Sequence, residues 1–316
     1  MTPRMTAPTT PRPTLPAAIQ VLERGWLSSN NILISGHRHT ALIDSGYGTH
    51  SSQTVALVAA ALAGRPLDLL LNTHLHSDHC GGNAALQQAY PALLTHIPPG
   101  LAPHVHQWDP VVLTYAPTGQ ACPPFGFDAV LLPGTEIQLG DLLWQVHAAP
   151  GHDPHSVILF EPAARVLVSA DALWERGFGV VFPELEGVAA FDEVRQTIDL
   201  IESLAPAIVI PGHGPVFAGV SAAIASARAR LNSFVQHPEK HIQYGAKVLL
   251  KFKLLEVQSI ERADLLAWAR ATSYFALIHN THFSAQEFEL WVEHLMADLV
   301  RSGAAMRDGT LIRNAG

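Results

Sequence analysis

Residues 73–82 constrain what this chain can fold into more than any other stretch. Three histidines and an aspartate lie within six positions there, directly after the apolar run 67–71: His74, His76, Asp78 and His79. Imidazole and carboxylate side chains suit zinc, iron or manganese better than calcium or magnesium. A buried strand that ends in such a turn therefore predicts a metal site. The alternative is a polar turn whose histidines only cap the next helix, and it requires four ligand-type side chains to have gathered by chance.

The same arrangement recurs three more times along the chain. An apolar run is followed by a side chain that can bind a metal, in a turn with glycine or proline: 142–148 precedes His152, 165–169 precedes Asp171, and 207–210 precedes His213. Read alone, Asp171 would be an ordinary helix cap. Read with the others, it predicts that four strands bring seven side chains to one edge of a sheet assembly.

Helix and strand signals predict a mixed α/β architecture with three regions. Strands are expected at 17–22, 31–35, 40–44, 67–71 and 157–160 in addition to the runs above, and helices at 51–63, 81–90, 191–203 and 217–236. Residues 1–16 are rich in proline and threonine and predict a disordered leader. Pro238 marks a boundary, because the residue before a proline disfavours helix. The expected domains are therefore 17–236 and 237–316.

The region 237–316 is predicted to be mainly helical. Helices are expected at 240–255 and 261–271, and a capping box from Ser284 to Glu287 precedes a third helix with an apolar stripe. The end of the chain, 305–313, has Asp308 and Gly309 in its middle and predicts a hairpin. Three helices and a terminal hairpin form a winged-helix-like outline.

Residues 97–128 interrupt the alternation of strands and helices. The segment is rich in proline and carries four aromatic side chains without a clear period. A long structureless segment in a compact domain is usually a functional lid or a flexible excursion, and we expect a lid over the metal site. His104 and His106 resemble a ligand pair, but they lie away from any predicted strand end and are interpreted as surface residues.

Charge and cysteine content narrow the partners and the compartment. The formal net charge is -8 and no lysine precedes Lys240, so there is no basic excess to bind a phosphate backbone. Nucleic acid is thus disfavoured as a partner, though not excluded. Cys80 and Cys122 cannot form a disulfide framework and fit a reducing cytosol, and Cys80 is interpreted as an apolar filler. Without a signal sequence or a run of 18 apolar residues, a cytoplasmic protein with no membrane segment is expected.

The ordered set of seven side chains carries a family resemblance. His-x-His-x-Asp-His at 74–79, His152 in Pro-Gly-His, Asp171, and His213 in Gly-His-Gly resemble the metallo-β-lactamase superfamily, and within it the glyoxalase II-like branch with two metals. The resemblance covers about 17–236. The tail is more weakly similar to the winged-helix extension of the lactamase-β-like 2 group. The implied fold is an αββα sandwich with a C-terminal helical domain.

The resemblance also implies roles for the seven residues. It assigns three to a first metal (His74, His76 and His152), three to a second (Asp78, His79 and His213), and Asp171 to a bridging position. The expected cofactors are two divalent ions, zinc before iron or manganese. Two such ions can share a water and lower its pKa, so the expected nucleophile is a metal-bridging hydroxide. Asp171 and Asp78 are the expected catalytic residues, and Asp171 would also pass a proton to the leaving group.

The predicted activity is hydrolysis of an ester, thioester or lactone in a small-molecule substrate. Asp171 argues against an antibiotic-hydrolysing lactamase, and no set of basic residues for glutathione is recognisable. Asp153 and His155 depart from the family's usual third-ligand turn; support of the ligands is favoured for them over substrate contact. The alternatives are a metal-dependent phosphodiesterase or endoribonuclease, a di-iron oxidoreductase, and a protein that only binds. For the tail, homodimerisation or closure of the pocket is favoured over DNA binding.

Overall fold

A computed structural model describes residues 13–315, so residues 1–12 of the predicted leader lie outside the described residues. The first eleven strands are β1 Ile19–Leu22, β2 Asn31–Ser35, β3 Thr40–Ile43, β4 Leu69–Leu71, β5 Leu94–Ile97, β6 Ala129–Val130, β7 Glu136–Leu139, β8 Leu142–Ala148, β9 Val157–Glu161, β10 Val166–Ala170 and β11 Ile208–Pro211. They form a six-stranded sheet in the order β1-β2-β3-β4-β5-β6 and a five-stranded sheet in the order β11-β10-β9-β8-β7.

The first eight helices cover or connect these sheets. They are α1 Ser51–Leu62, α2 Ser77–Cys80, α3 Asn83–Ala89, α4 Ala102–Gln107, α5 Tyr115–Thr118, α6 Phe182–Leu185, α7 Phe191–Leu204 and α8 Val220–Gln236, with a short 3₁₀ turn at Gly48–His50. Helices α1 and α3 pack on the outer face of the six-stranded sheet. Helices α7 and α8 pack on the outer face of the five-stranded sheet.

The two sheets face each other across the main core. Side chains alternate along each strand, so Ile32 and Ile34 of β2 point to the inter-sheet core while Leu33 between them points to α1 and α3. Trp144 of β8 is the largest side chain buried between the sheets. Because both faces of each sheet are covered, the strands appear in the sequence as nearly continuous apolar runs. The result is the predicted four-layer αββα sandwich.

The C-terminal part adds four helices and a small sheet. Its elements are α9 Pro238–Val257, β12 Ser259–Glu261, α10 Arg262–Ala271, α11 Ser273–His282, α12 Phe288–Arg301, β13 Ala305–Asp308 and β14 Leu311–Asn314. The three strands pair in the order β12-β14-β13, and the predicted terminal hairpin is β13–β14. These elements share a separate apolar core that includes Leu250, Phe275 and Trp291.

Two predictions about these segments are wrong in detail. The segment 97–128 is not structureless: α4 and α5 lie within it, and Val105, Tyr115 and Phe125 pack with Leu75 in a small core of their own. The helix α12 begins after Glu287, not after Ser284. Glu287 has extended backbone angles and its carboxylate accepts a hydrogen bond from the amide of Leu290, as an N-cap does. None of the helices within residues 13–315 combines the length and apolar character of a membrane-spanning segment.

Candidate metal centre

The structure brings all seven predicted metal-site residues together at one edge of the sandwich. His74 and His76 follow β4, and Asp78 and His79 lie on α2. The other three follow β8, β10 and β11: His152, Asp171 and His213. Their ligand-type atoms form three overlapping groups, each with its atoms within 4.8 Å of one another: His74 with His76 and His152, His74 with His79 and Asp171, and Asp78 with His79 and His213.

Asp171 lies between the two outer groups. One of its carboxylate oxygens, Oδ2, is 3.5 Å from Nε2 of His152 and 3.8 Å from Nε2 of His213. The other, Oδ1, is 3.6 Å from Nε2 of His79. A single side chain thus contacts both halves of the cluster, which is the position that a bridging ligand needs.

Within each outer group the facing atoms are close. Nδ1 of His76 is 2.9 Å from Nε2 of His152, and Nε2 of His213 is 3.1 Å from Oδ2 of Asp78. Two of the three groups are the same trios that the family resemblance assigns to the two metals, and the third joins them through Asp171.

The histidine rings are oriented by hydrogen bonds from their outer nitrogens. Nδ1 of His152 donates to the carbonyl oxygen of Val180 at 2.5 Å, which leaves Nε2 to present its lone pair to the cluster. Nδ1 of His79 is 2.8 Å from Oδ2 of Asp44, and Asp44 is itself held by the amide and the hydroxyl of Thr73. Such partners fix the ring tautomer and raise the basicity of the ligand nitrogen.

The donor set fits a divalent cation. Nε2 of His74 and Nε2 of His79 are buried and have no hydrogen-bond partner. A buried polar atom without a partner costs about 1–3 kcal/mol, and a metal held by each trio would satisfy one of these nitrogens. Nitrogen-rich ligand sets with a few carboxylates suit zinc, iron or manganese rather than calcium.

The charge states of the cluster residues also favour metal binding. Burial lowers the pKa of His152 to about 4, with the neighbouring His76 adding to the shift. Burial followed by the nearby histidines also lowers the pKa of His74 well below 6.5. Both rings are therefore neutral at pH 7, the form that binds a metal. Burial opposes ionisation of Asp171, but the surrounding histidines hold its pKa well below 3.8, so the bridging position carries a negative charge.

Two glycines allow the backbone to approach the cluster closely. A Cβ atom at Gly212 would overlap with Oδ1 of Asp171, and one at Gly179 would overlap with Nδ1 of His152. Any larger residue would displace a candidate ligand. Lack of space thus explains the glycines at 179 and 212, whereas a Cβ atom at Gly214 would meet no neighbour and its φ is +86°.

Aromatic side chains enclose the cluster on two sides. The Trp26 ring stacks on His213 with centroids 5.4 Å apart, and Nε1 of Trp174 donates to Oδ1 of Asp171 at 3.2 Å. Phe182 packs against His76 at 4.7 Å. Phe178, between Trp174 and Phe182 in the sequence, lies in the core beneath α8.

Two cavities meet at His76. The inner cavity, of about 90 Å³, is lined by the cluster and by Trp26, Trp174 and Phe252 of α9. The outer cavity, of about 530 Å³, extends from His76 between the segment 97–128 and α11. His76, Thr114 and Phe182 line both cavities. The segment 97–128 therefore contributes a wall to both; whether it moves as a lid stays a prediction.

The remaining candidate residues lie around the cluster or away from it. Asp153 and His155 line the outer cavity, and Oδ2 of Asp153 is 3.8 Å from Nε2 of His76. Cys80 points away from the metal groups, with its sulfur 3.2 Å from the Tyr115 hydroxyl. His104 and His106 lie on α4; His104 is half-buried and His106 is exposed, and neither belongs to the groups of candidate ligands found within residues 13–315.

Sequence reasoning missed Asp44 and Trp26. Asp44 directly follows the apolar strand β3, which is the same signal that identified Asp171, and its φ of +59° marks an unusual turn. Trp26 has no such signal, because it lies in a turn before β2 and is brought to His213 only by the fold. It is 54% exposed and stacks on the imidazole ring.

A sandwich of two mixed sheets with a histidine-rich, carboxylate-bridged cluster at one edge defines a class of metal-binding proteins. The chain belongs to the metallo-beta-lactamase superfamily, whose family model matches residues 24–213. This match covers more than half of the chain and includes all seven residues of the cluster.

Individual relatives are distant. The chain is 25% identical over 192 residues to a hydroxyacylglutathione hydrolase from Mesorhizobium japonicum, covering 61% of each chain. It spans about half to three fifths of the length of this and two similar curated relatives.

Solved structures show the same fold. A metallo-beta-lactamase family protein from Thermus thermophilus superposes with a TM-score of 0.58 at 17% identity, covering 95% of this chain and 100% of that one. A protein crystallised in a di-iron-bound form is 26% identical with a TM-score of 0.51, covering 64% of this chain and 96% of that one.

Proposed function

We propose that this protein is a metal-dependent hydrolase that cleaves an ester, thioester or lactone. The observation that carries the proposal is the pair of ligand trios joined by Asp171, with two buried histidine nitrogens left without partners. The first site would be formed by His74, His76 and His152, and the second by Asp78, His79 and His213. Membership of the superfamily and the relatives named hydroxyacylglutathione hydrolase support hydrolysis.

The metals would supply the electrophilic part of the chemistry. Divalent ions polarise a carbonyl and lower the pKa of a bound water towards neutrality. Zinc is the proposed metal, because neutral imidazole nitrogens dominate the donor set. Iron is the first alternative, supported by the di-iron form of one relative, and manganese the second.

The side chains of the chain itself hold the site and move the proton. Asp171 Oδ1 accepts a hydrogen bond from Trp174, so the carboxylate is fixed while Oδ2 faces the centre of the cluster. We assign to Oδ2 the transfer of a proton from the attacking water to the leaving group. Trp26 and Phe182 limit the access of bulk water to that position, which strengthens electrostatic interactions inside.

The lining of the cavities favours acyl substrates over nucleic acid. Within residues 13–315, no lysine or arginine lines either the inner or the outer cavity. A phosphodiester backbone would need cationic partners there. The phosphodiesterase and the oxidoreductase remain the alternatives that the experiment must separate.

The proposal is tested by metal analysis and a substrate panel on a single preparation. We expect about two equivalents of zinc per chain and turnover of at least one ester, thioester or lactone. His76→Ala should lower the metal content and reduce turnover by at least about 100-fold, whereas His106→Ala, an exposed histidine on α4, should change neither. Cleavage of a phosphodiester or single-stranded RNA with no acyl turnover would replace the proposal, and visible absorption with bound iron and no hydrolysis would favour the oxidoreductase.

A further inference from the structure

The outer cavity has a volume of about 530 Å³ and adjoins the candidate metal centre through His76. Cavities of this size enclose most of the surface of a small organic ligand. Three parts of the chain form its walls: the segment 97–128, the turn at 153–155 with the neighbouring helix α6, and helix α11. The cavity is therefore built by regions far apart in the sequence.

Exposed aliphatic side chains converge on this cavity from opposite walls. Val111 is 61% exposed and Val112 is 43% exposed on one wall, and Leu277 of α11 is 38% exposed on the other. Single exposed apolar residues are ordinary, but several that face one concave site indicate a binding site for an apolar ligand. Phe182 continues this apolar wall to the edge of the metal centre, where it packs on His76.

Two carboxylates, Glu186 and Asp153, line the outer cavity, and both already accept hydrogen bonds from the protein. Glu186 accepts a hydrogen bond from the Tyr274 hydroxyl at 2.6 Å. Asp153 accepts one from the amide of His155 at 2.8 Å and lies beside His76. No arginine or lysine of residues 13–315 lines the cavity. An anionic group in the ligand would therefore be desolvated without an arginine or lysine partner and repelled by the carboxylates.

We infer that the outer cavity binds an uncharged, medium-length aliphatic chain attached to the ester, thioester or lactone group. This inference rests on the proposed function and names its substrate class. The reacting carbonyl lies at the His76 end, and the chain extends between Val112 and Leu277. Substrates with a carboxylate or phosphate at the far end of that chain are rejected.

The first test uses the metal-loaded full chain and two series of esters. p-Nitrophenyl acetate, butyrate and octanoate vary the acyl chain, and ethyl and hexyl acetate vary the alcohol chain. A fully buried methylene is worth roughly fourfold in affinity, so octanoate, or hexyl acetate, should exceed its short counterpart by at least about tenfold in kcat/KM. The mono-p-nitrophenyl ester of suberic acid has the same length as the octanoate but ends in a carboxylate, and it should fall below the octanoate by at least about tenfold.

The second test changes the wall of the cavity. Leu277→Arg places a cation opposite Val112, so the ratio of octanoate to suberate turnover should fall by at least about tenfold. Leu290→Arg is the matched control, because Leu290 is also an exposed leucine on a C-terminal helix but lines neither cavity. The control should keep the wild-type ratio.

A third measurement does not depend on turnover. Calorimetry with octanamide on the metal-free protein should detect binding that Leu277→Arg weakens by at least about tenfold and that acetamide does not reproduce. Light scattering on wild type and variant should give the same molar mass. A smaller mass for the variant would assign the apolar wall to a contact between two copies and overturn the inference.

The outcomes separate this inference from the proposed function. If protein that holds its metals turns over no ester, thioester or lactone, the proposed function fails, whatever the calorimetry shows. If short esters are turned over but neither series responds to chain length, the hydrolase stands and the inference about the outer cavity fails. Equal turnover of octanoate and suberate would also overturn it.

Discussion

Asp44 illustrates how one residue outside the ligand set can govern the site. Its carboxylate contacts Nδ1 of His79 on one side and is held by Thr73 on the other, and it is almost completely buried. Burial opposes protonation of His79, but the carboxylates of Asp44, Asp171 and Asp78 outweigh it and raise its pKa well above 6.5. A metal cation in the second site would be stabilised by the same three negative charges.

Asp44→Asn should therefore weaken the second metal site. The amide removes a negative charge and the strong acceptor for His79, and loss of such a partner typically costs about 10–100-fold in metal affinity or activity. Competition with a chromophoric chelator measures the affinity of each site. Asp141→Asn, which removes an exposed carboxylate paired with His37, is the control. Unchanged zinc affinity in Asp44→Asn would show that the hydrogen bond to His79 does not tune the metal.

His241 provides a prediction about the dependence of stability on pH. Its ring is buried, its Nε2 accepts a hydrogen bond from the amide of Val181, and burial, with a smaller contribution from Arg230, lowers its pKa to about 4. Because this pKa is depressed in the folded state, the unfolded chain binds the proton more readily between about pH 6.5 and 4. Stability is therefore complete above about pH 6.5 and falls as the pH drops towards 4.

His241→Gln keeps an acceptor for Val181 but cannot titrate. Urea unfolding of the metal-free protein at pH 7 and pH 5 should show a smaller loss of unfolding free energy in the variant than in wild type, by about 1–2 kcal/mol. The comparison within the metal-free state removes the contribution of metal binding. An equal loss in both proteins would mean that His241 does not contribute to the acid sensitivity of the fold.

At the scale of elements, the helices and strands with a regular apolar pattern were predicted from the sequence. Strands β2 and β8 have the predicted bounds, and α1 and α7 differ by one residue at the end. Apolar side chains that recur at every second position or at helical spacing predict an element, because these are the positions that the fold buries. The turns that carry the proposed metal ligands could also be predicted, because their polar residues follow buried strands.

Other elements depend on contacts that the local sequence does not encode. Helix α11 was missed: the sequence analysis ended a helix at residue 271, as α10 does, and predicted none over Ser273–His282. Helices α4 and α5 are stabilised by packing against Leu75 and Ile97 rather than by their own pattern. The sequence analysis expected the segment 97–128 and the tail to cover the site, but the outer cavity that these and a third distant segment form together could not be predicted.

The start of α12 can be tested directly. Glu287 accepts a hydrogen bond from the Leu290 amide at 2.9 Å, whereas the sequence pattern placed the cap at Ser284. Replacing an N-cap by alanine destabilises a helix. Glu287→Ala should therefore lower the midpoint of thermal unfolding, and Ser284→Ala should leave it unchanged. The opposite result would show that Ser284 is the N-cap of α12.

At the scale of the molecule, the sandwich and the C-terminal helices share one functional surface. Helix α9 lines the inner cavity and α11 lines the outer one. The Tyr47 hydroxyl connects three regions, because it donates to Glu256 of α9 and accepts from the amide of Ala121. These contacts support closure of the pocket as the role of the tail. The domain boundary near 237, the winged-helix comparison, homodimerisation and a cytoplasmic location stay predictions.

Removal of the metals should destabilise the whole sandwich. The proposed ligands come from the turn after β4 and from α2 on the side of the six-stranded sheet, and from turns after β8, β10 and β11 in the five-stranded sheet. Ligands that bind only the folded state add about 2.7 kcal/mol of stability at a hundredfold excess over Kd. A chelator should thus lower the thermal midpoint by several degrees, and zinc, but not magnesium, should restore it. A midpoint insensitive to the chelator would contradict metal binding between the sheets.

The division of the outer cavity among distant segments also has an evolutionary consequence. Leu277 is almost 200 positions from the histidine turn that would perform the chemistry, and the wall it forms belongs to a helix that contributes no proposed ligand. Substitutions at exposed positions of α11 such as Leu277 would therefore change the cavity wall without displacing a proposed ligand. Proteins with this scaffold can therefore change their substrate through substitutions in the C-terminal helices, while the reaction at the metal centre stays the same.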